Sequence, residues 1–179
     1  MHKCRLVFRC VHEQITLKLL GQQMDTTLIR QANLADLEAV SVLFDAYRQF
    51  YQQAPDLERA NQFIEQRMRL SESVILLAFD STQKAIGFCQ LYPTFCSVEA
   101  IDIYVLYDLF VVPDARRSGA GKKLLQAAEQ MALENGKSRM DLSTAKTNGP
   151  AQAAYEALGW VRDEVFFTYS KYVRQGDFF

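Results

Sequence analysis

The 179-residue sequence predicts an α+β chain in three layers, and three observations carry that reading. The apolar run Leu109-Phe110-Val111-Val112 leads into a glycine-bearing turn and then into an amphipathic stretch, Leu124 to Leu133, which reads as strand, turn and helix. Two further apolar runs, Ser73 to Phe79 and Ala85 to Tyr92, flank the turn residues Asp80-Ser81-Thr82-Gln83 and read as a hairpin. Leu37, Val40, Leu43, Phe44, Tyr47, Phe50 and Tyr51 recur at helical spacing, and a second helical pattern follows Pro55.

Residues 1–25 differ from the rest and read as an N-terminal extension, with Lys3, Arg5, Arg9 and Lys18 against Glu13 and Asp25. They hold no clean apolar core with a small-residue cleavage site, so a secretory signal is not expected. Met24 lies just before Thr27-Leu28-Ile29-Arg30, a candidate first strand, and is a candidate start; an ordered or partner-binding arm is the alternative. Residues 26–179 read as a single domain. Asn33 suits an N-cap, and Asp36 three positions on gives a near capping box for the first helix. The second helix runs through Leu57, Ala60, Phe63, Ile64 and Met68. After the hairpin, Ile101 to Val112 is a long apolar strand interrupted by Asp102 and Asp108 and ended by Pro113-Asp114. A helix from about Lys122 stops near Asn135-Gly136. Met140 to Thr144 reads as a short strand, and Val165 to Val173 as a final one.

Composition narrows the function. Hydrophobic residues make up 49% and charged residues 23%, ordinary for a globular chain able to bury a full core. A net charge of −1 gives no electrostatic case for nucleic acid. No apolar run approaches the ~20 residues of a membrane span. The four cysteines, Cys4, Cys10, Cys89 and Cys96, form no Cys-x-x-Cys pair, so reduced thiols in a cytoplasmic protein are expected and no metal is. The two histidines, His2 and His12, both sit in the extension. Acid–base chemistry in the domain therefore falls to carboxylates, tyrosine, lysine or water.

The chemistry concentrates in Arg116-Arg117-Ser118-Gly119-Ala120-Gly121-Lys122-Lys123. A helix N-terminus carries partial positive charge, so four cations there cost stability unless an anion joins them. The two glycines let backbone N–H groups close on such an anion, and a phosphate or pyrophosphate is the simplest one. The P-loop pattern fails, because Arg116 stands where its first glycine belongs and Lys123 where its Ser or Thr belongs. The dinucleotide fingerprint fails at Leu124. What remains is Arg-x-x-Gly-x-Gly, followed downstream by Asn148-Gly149-Pro150, Tyr155 and Gly159-Trp160 on a short helical segment.

Together these two motifs resemble the GCN5-related N-acetyltransferase (GNAT) superfamily from about Thr27 to the C-terminus. The resemblance implies a mixed central sheet of six to seven strands flanked by about four helices. It implies acetyl-CoA as co-substrate, held by backbone N–H groups and cations across Arg116, Arg117, Ser118, Gly119, Ala120, Gly121 and Lys122. Main-chain groups of Leu109, Phe110 and Val111 would face the pantetheine arm and thioester, and Asn148 and Tyr155 would close the site. Tyr155 is the candidate acid for the leaving thiolate, since a tyrosine hydroxyl with a reference pKa of about 10 still carries its proton at neutral pH. From helical context alone, Tyr155 reads as a packing residue.

Asp108, inside an apolar strand, must be paired, hydrogen-bonded or facing a pocket. It is a candidate base or cation-binding group, with a structural Asp as the alternative. Tyr47, Tyr51 and Tyr92 are candidate acceptor-binding residues; Tyr47 and Tyr51 also fit a helix core. Glu99, Asp102 and Asp108 would make a cation-friendly wall, or equally ordinary surface charges. Tyr104 to Val111, with Gly87-Phe88 upstream, also resembles the diamine and thialysine acetyltransferases, except that Tyr107 stands where that subfamily has a Glu. The expected reaction is direct N-acetylation of a small polyamine- or amino-acid-like amine. A peptide or protein acceptor and a non-catalytic acyl-CoA-binding module are the alternatives. A homodimer is a family-level expectation.

Overall fold

A computed structural model describes residues 27–173. The N-terminal extension and its Met24 lie outside the described residues. Five strands form one sheet in the order β1-β2-β3-β4-β5: β1 (Leu28–Gln31), β2 (Val74–Phe79), β3 (Ala85–Cys96), β4 (Ile101–Val111) and β5 (Arg139–Leu142). The first four pair antiparallel and β5 runs parallel to β4. Four helices flank them: α1 (Leu37–Phe50), α2 (Leu57–Arg69), α3 (Ala120–Glu134) and α4 (Gly149–Glu156). Single 3-10 turns at Leu34–Asp36 and Pro113–Ala115 precede α1 and the loop over residues 116–119.

The sheet thus has five strands where six to seven were expected, and Val165 to Val173 forms no strand. Asp163 accepts hydrogen bonds from the N–H groups of Val165 and Phe166, which turns the chain instead of extending it along β5. Phe166, Phe167 and Tyr169 are left exposed. The hairpin reading holds, and β3 runs on to Cys96, four residues past the expected end.

Period-two alternation in the strands supplies two cores, one per face. On one face, Leu76, Ala78, Cys89, Leu91, Tyr104 and Leu106 pack on α3 through Leu124, Leu125 and Ala128. On the other, Leu77, Phe79, Phe88 and Phe110 pack on α1 and α2 through Val40, Leu43 and Ile64. Gly87 is dictated by this packing, since a Cβ there would lie 2.6 Å from the Phe110 carbonyl oxygen.

Two local devices set α1. Asn33 Oδ1 accepts from Ala35 N–H at 2.9 Å while Asp36 accepts from Asn33 N–H at 2.9 Å, the reciprocal capping box the sequence implied. At its far end, buried Asp45 accepts from Arg48 at 2.8 Å, Gln49 at 2.8 Å and the Asp56 N–H at 3.0 Å. Those three bonds satisfy the carboxylate and lock the α1–α2 corner that carries Tyr47 and Tyr51.

Candidate active site

Two breaks in the regular sheet build the site. β4 pairs with β5 only from Ile103 opposite Arg139 to Leu106 opposite Leu142. Beyond that point the strands part, and Leu109, Phe110 and Val111 face Ser143 and Thr144 across a cavity of about 660 Å³. An amide-bearing arm can enter such a split as an added strand would.

The second break is a bulge. Gln90 pairs with Asp108, but Leu91 pairs with Leu106, so Tyr107 has no partner across the ladder. A bulge shifts the side-chain alternation by one. Upstream of it, Tyr104 and Leu106 point to the α3 core. Downstream, Leu109 and Val111 take that face, and Phe110 joins the α1–α2 core. Asp108 is thereby turned toward α1 and α2, with Tyr107 beside it on that side. In an unbroken strand Asp108 would enter the apolar α3 core.

The loop over residues 116–119 begins at the open end of β4. Arg117 adopts φ 66° and Gly119 φ 91°, a left-handed entry that ends at the N-cap of α3. The helix begins at Ala120, two residues before its expected start, and its first intrahelical bond runs from Lys123 N–H to the Gly119 carbonyl at 3.0 Å. The N–H groups of Gly121 and Lys122 precede that bond and keep the orphan donor character of a helix start. Arg117, Gly121 and Lys122 line the 660 Å³ cavity. A Cβ on Gly121 would touch only Val111 Cγ2, at 3.9 Å, so the protein's own packing does not require glycine there. A ligand resting on the backbone would require it, and a pyrophosphate fits that cradle. Arg116 also lines the cavity, but its guanidinium stacks over Phe50 at 5.3 Å and Phe110 at 5.9 Å, and its Nε donates to the Val111 carbonyl. It braces the strand end against α1. Ser118, Gly119 and Ala120, also expected to hold phosphate, are not among the residues lining the cavity; Ala120 is buried in the α3 core.

Asn148 and Tyr155 line the same cavity from α4. Tyr155 packs its ring against Trp160, with centroids 6.1 Å apart. Burial raises its pKa, opposed by a hydrogen bond with Thr144. The phenol holds its proton more firmly than a free tyrosine.

A second cavity, of about 860 Å³, opens between α1, α2 and the β3–β4 surface. Tyr47, Tyr51 and Tyr107 line both cavities, so the two meet there. All four expected acceptor residues, Tyr47, Tyr51, Tyr92 and Asp108, lie on this second cavity. Asp108 is buried, and burial pushes its carboxyl up to about 6 against a hydrogen bond with Tyr47 that lowers it. Burial and the Asp108 charge also raise the hydroxyl pKa of Tyr47. Glu99 and Asp102 do not join the wall expected of them. Glu99 pairs with Arg139 at 2.6 Å and Asp102 with Lys137 at 3.7 Å, at the other end of β4. Sequence reasoning missed Phe44, Phe63, Arg67 and Glu72 as cavity residues. Phe44 and Phe63 carry the same helical spacing as core residues, which gives no signal of the cavity beside them.

Comparison with known proteins meets this geometry. The model of the acetyltransferase (GNAT) family matches residues 38–160. The chain belongs to this family. It is an acetyltransferase. An uncharacterized N-acetyltransferase of Bacillus subtilis (strain 168), YhfO, is 48% identical over 141 residues, covering 79% of this chain and 94% of its own length. The crystal structure of a probable acetyltransferase superposes with a TM-score of 0.77 at 39% identity, covering 83% of this chain and 99% of that one. AAC(6')-Iy, solved with the bisubstrate analogue CoA-S-monomethyl-acetylneamine, superposes with a TM-score of 0.68 at 26% identity, covering 82% of this chain and 98% of that one.

Proposed function

We propose that this acetyltransferase moves the acetyl group of acetyl-CoA directly to a primary amine of a small acceptor. The observation that carries this reading is the meeting of two cavities at Tyr47, Tyr51 and Tyr107, with Tyr155 on one and Asp108 on the other. Arg117, Gly121 and Lys122 hold the pyrophosphate, and the backbone of Leu109, Phe110 and Val111 takes the pantetheine amides. A β4 N–H near the thioester carbonyl steadies negative charge on its oxygen, an effect of ~2.7–4 kcal/mol per donor in acyl transfer.

The acceptor enters from the α1–α2 side as an ammonium and must lose a proton before it can attack. Asp108 takes that proton, directly or through a water. A carboxyl pushed up to about 6 is ionised at neutral pH yet basic enough to accept it. The acceptor nitrogen then bonds to the acetyl carbon, the carbon–sulfur bond breaks with its electron pair on sulfur, and Tyr155 gives its proton to that sulfur. No covalent enzyme intermediate is required. Cys89, the cysteine in the α3-side core, is fully buried with its thiol pushed up to about 12, which makes it a poor nucleophile.

AAC(6')-Iy bound to an acetylneamine analogue lends support for a small amine over a peptide, as does the enclosure of Asp108 between helices and sheet. Mass spectrometry of candidate amines after incubation with acetyl-CoA tests the reading. An N-acetylated amine with an equal amount of free coenzyme A thiol is expected. Thiol release without an acetylated amine would contradict transfer.

A further inference from the structure

The acceptor cavity carries a charge and shape inventory that narrows the amine. Its acidic lining groups are Glu72 and Asp108, and its basic ones are Arg48 and Arg67. Arg67 Nε lies 2.5 Å from Glu72, and Arg48 lies 2.8 Å from Asp45 behind the wall. Each guanidinium thus has its own carboxylate, and among the described residues Asp108 is the carboxylate on this cavity that no cation pairs. Glu99 and Asp102, the other carboxylates of this strand region, are paired elsewhere. A second or third ammonium on the acceptor would find two neutralised ion pairs and no unpaired carboxylate to receive it.

The remaining walls are rings. Phe44 and Phe63 stack with centroids 5.2 Å apart and planes 12° off parallel. Tyr92 and Tyr107 meet edge to face at 5.8 Å. Arg67 itself sits over the Phe63 ring, its guanidinium carbon 4.6 Å from the centroid. Rigid aromatic walls favour another ring by offset or edge contacts beyond simple area burial, and tyrosine faces favour one adjacent ammonium. The cavity, about 860 Å³, has room for a ring system beside the amine.

Building on the acetyl-transfer reading above, we infer that the acceptor is a monoamine with a planar, apolar body, an arylalkylamine in chemical class, and not a polyamine or an aminoglycoside. Asp108 receives the single ammonium, and the Phe44, Phe63, Tyr92 and Tyr107 rings receive the body. This departs from the polyamine- or amino-acid-like acceptor expected from the resemblance and from a wall of Glu99, Asp102 and Asp108, of which Asp108 alone lines the cavity.

Steady-state thiol release from acetyl-CoA tests it with 2-phenylethylamine and tryptamine against 1,4-diaminobutane, spermidine and neamine. The expected result is a kcat/KM for the arylalkylamines at least about tenfold above that of any polycation. Phe63→Leu, which keeps an apolar side chain on α2, should narrow that ratio severalfold while leaving the KM for acetyl-CoA unchanged. A polyamine or neamine used as well as or better than the arylalkylamines would overturn this inference and leave acetyl transfer standing. An unchanged ratio in a folded Phe63→Leu protein would also overturn it. Thiol release with none of the amines, despite acetyl-CoA binding, would overturn the transfer reading and this inference with it.

Discussion

In the proposed reaction, Asp108 sets chemistry against stability. Its carboxyl titrates near 3.8 in an unfolded chain and near 6 in the fold, where burial disfavours the charge. Between those values the folded state binds more protons than the unfolded state, so stability falls as pH rises from about 4 to about 6. Above pH 6 the whole penalty is present, at most about 3 kcal/mol. Asp108→Asn should therefore raise the melting temperature at pH 7 and leave it little changed at pH 4, read by thermal unfolding at both values. The same variant should lose the rise in kcat/KM through about pH 6 that a basic carboxylate gives the native enzyme; a native profile flat through that range would remove Asp108 from the role of base. Tyr155→Phe should lower kcat by about 10²–10⁴-fold with acetyl-CoA binding retained, as loss of a general acid does. Both residues were legible in sequence, one as a charge in an apolar strand and one by its spacing from Asn148. The direction Asp108 faces was not. It depends on the bulge at Tyr107, and no turn residue or glycine marks that position.

Among the elements, the α3 start and the α1–α2 corner carry separable burdens. Gly121 is a poor helix residue whose Cβ site is open to the protein, so Gly121→Ala should stabilise the fold by up to about 1 kcal/mol. It should also raise the KM for acetyl-CoA roughly tenfold or more, since the added methyl intrudes where backbone meets phosphate. Paired calorimetry and kinetics would show both; an unchanged KM would mean the ligand does not rest on that turn. Asp45→Ala strands Arg48 and the Asp56 N–H, and should cost about 3 kcal/mol. For a chain of this size that corresponds to a melting-temperature drop of roughly 6–12 °C. Apolar periodicity, turn residues and the capping box at Asn33 made β2, β3, α1, α2 and α3 readable. The last expected strand failed because Val165 to Val173 alternates only loosely, and the turn set by Asp163 diverts it.

At the scale of the whole molecule, the proposed site arises because two interruptions of one sheet fall side by side. The β4–β5 split opens after Leu106, and the β3–β4 bulge falls at the next residue. In the proposed reaction, one makes room for the acyl donor on a strand edge. The other turns a carboxylate into the neighbouring cavity, and three tyrosines line the junction. Pairing registers are tertiary facts, so sequence could place the donor motifs but not the join. Among the described residues no helix is long and apolar enough to cross a membrane. The most direct test of the account is amine-dependent thiol release from acetyl-CoA by the native protein and by Tyr155→Phe, with acetyl-CoA affinity measured in parallel by calorimetry. The account predicts release that depends on the amine, collapses in Tyr155→Phe, and leaves the affinity unchanged. Release in Tyr155→Phe equal to the native rate would contradict it.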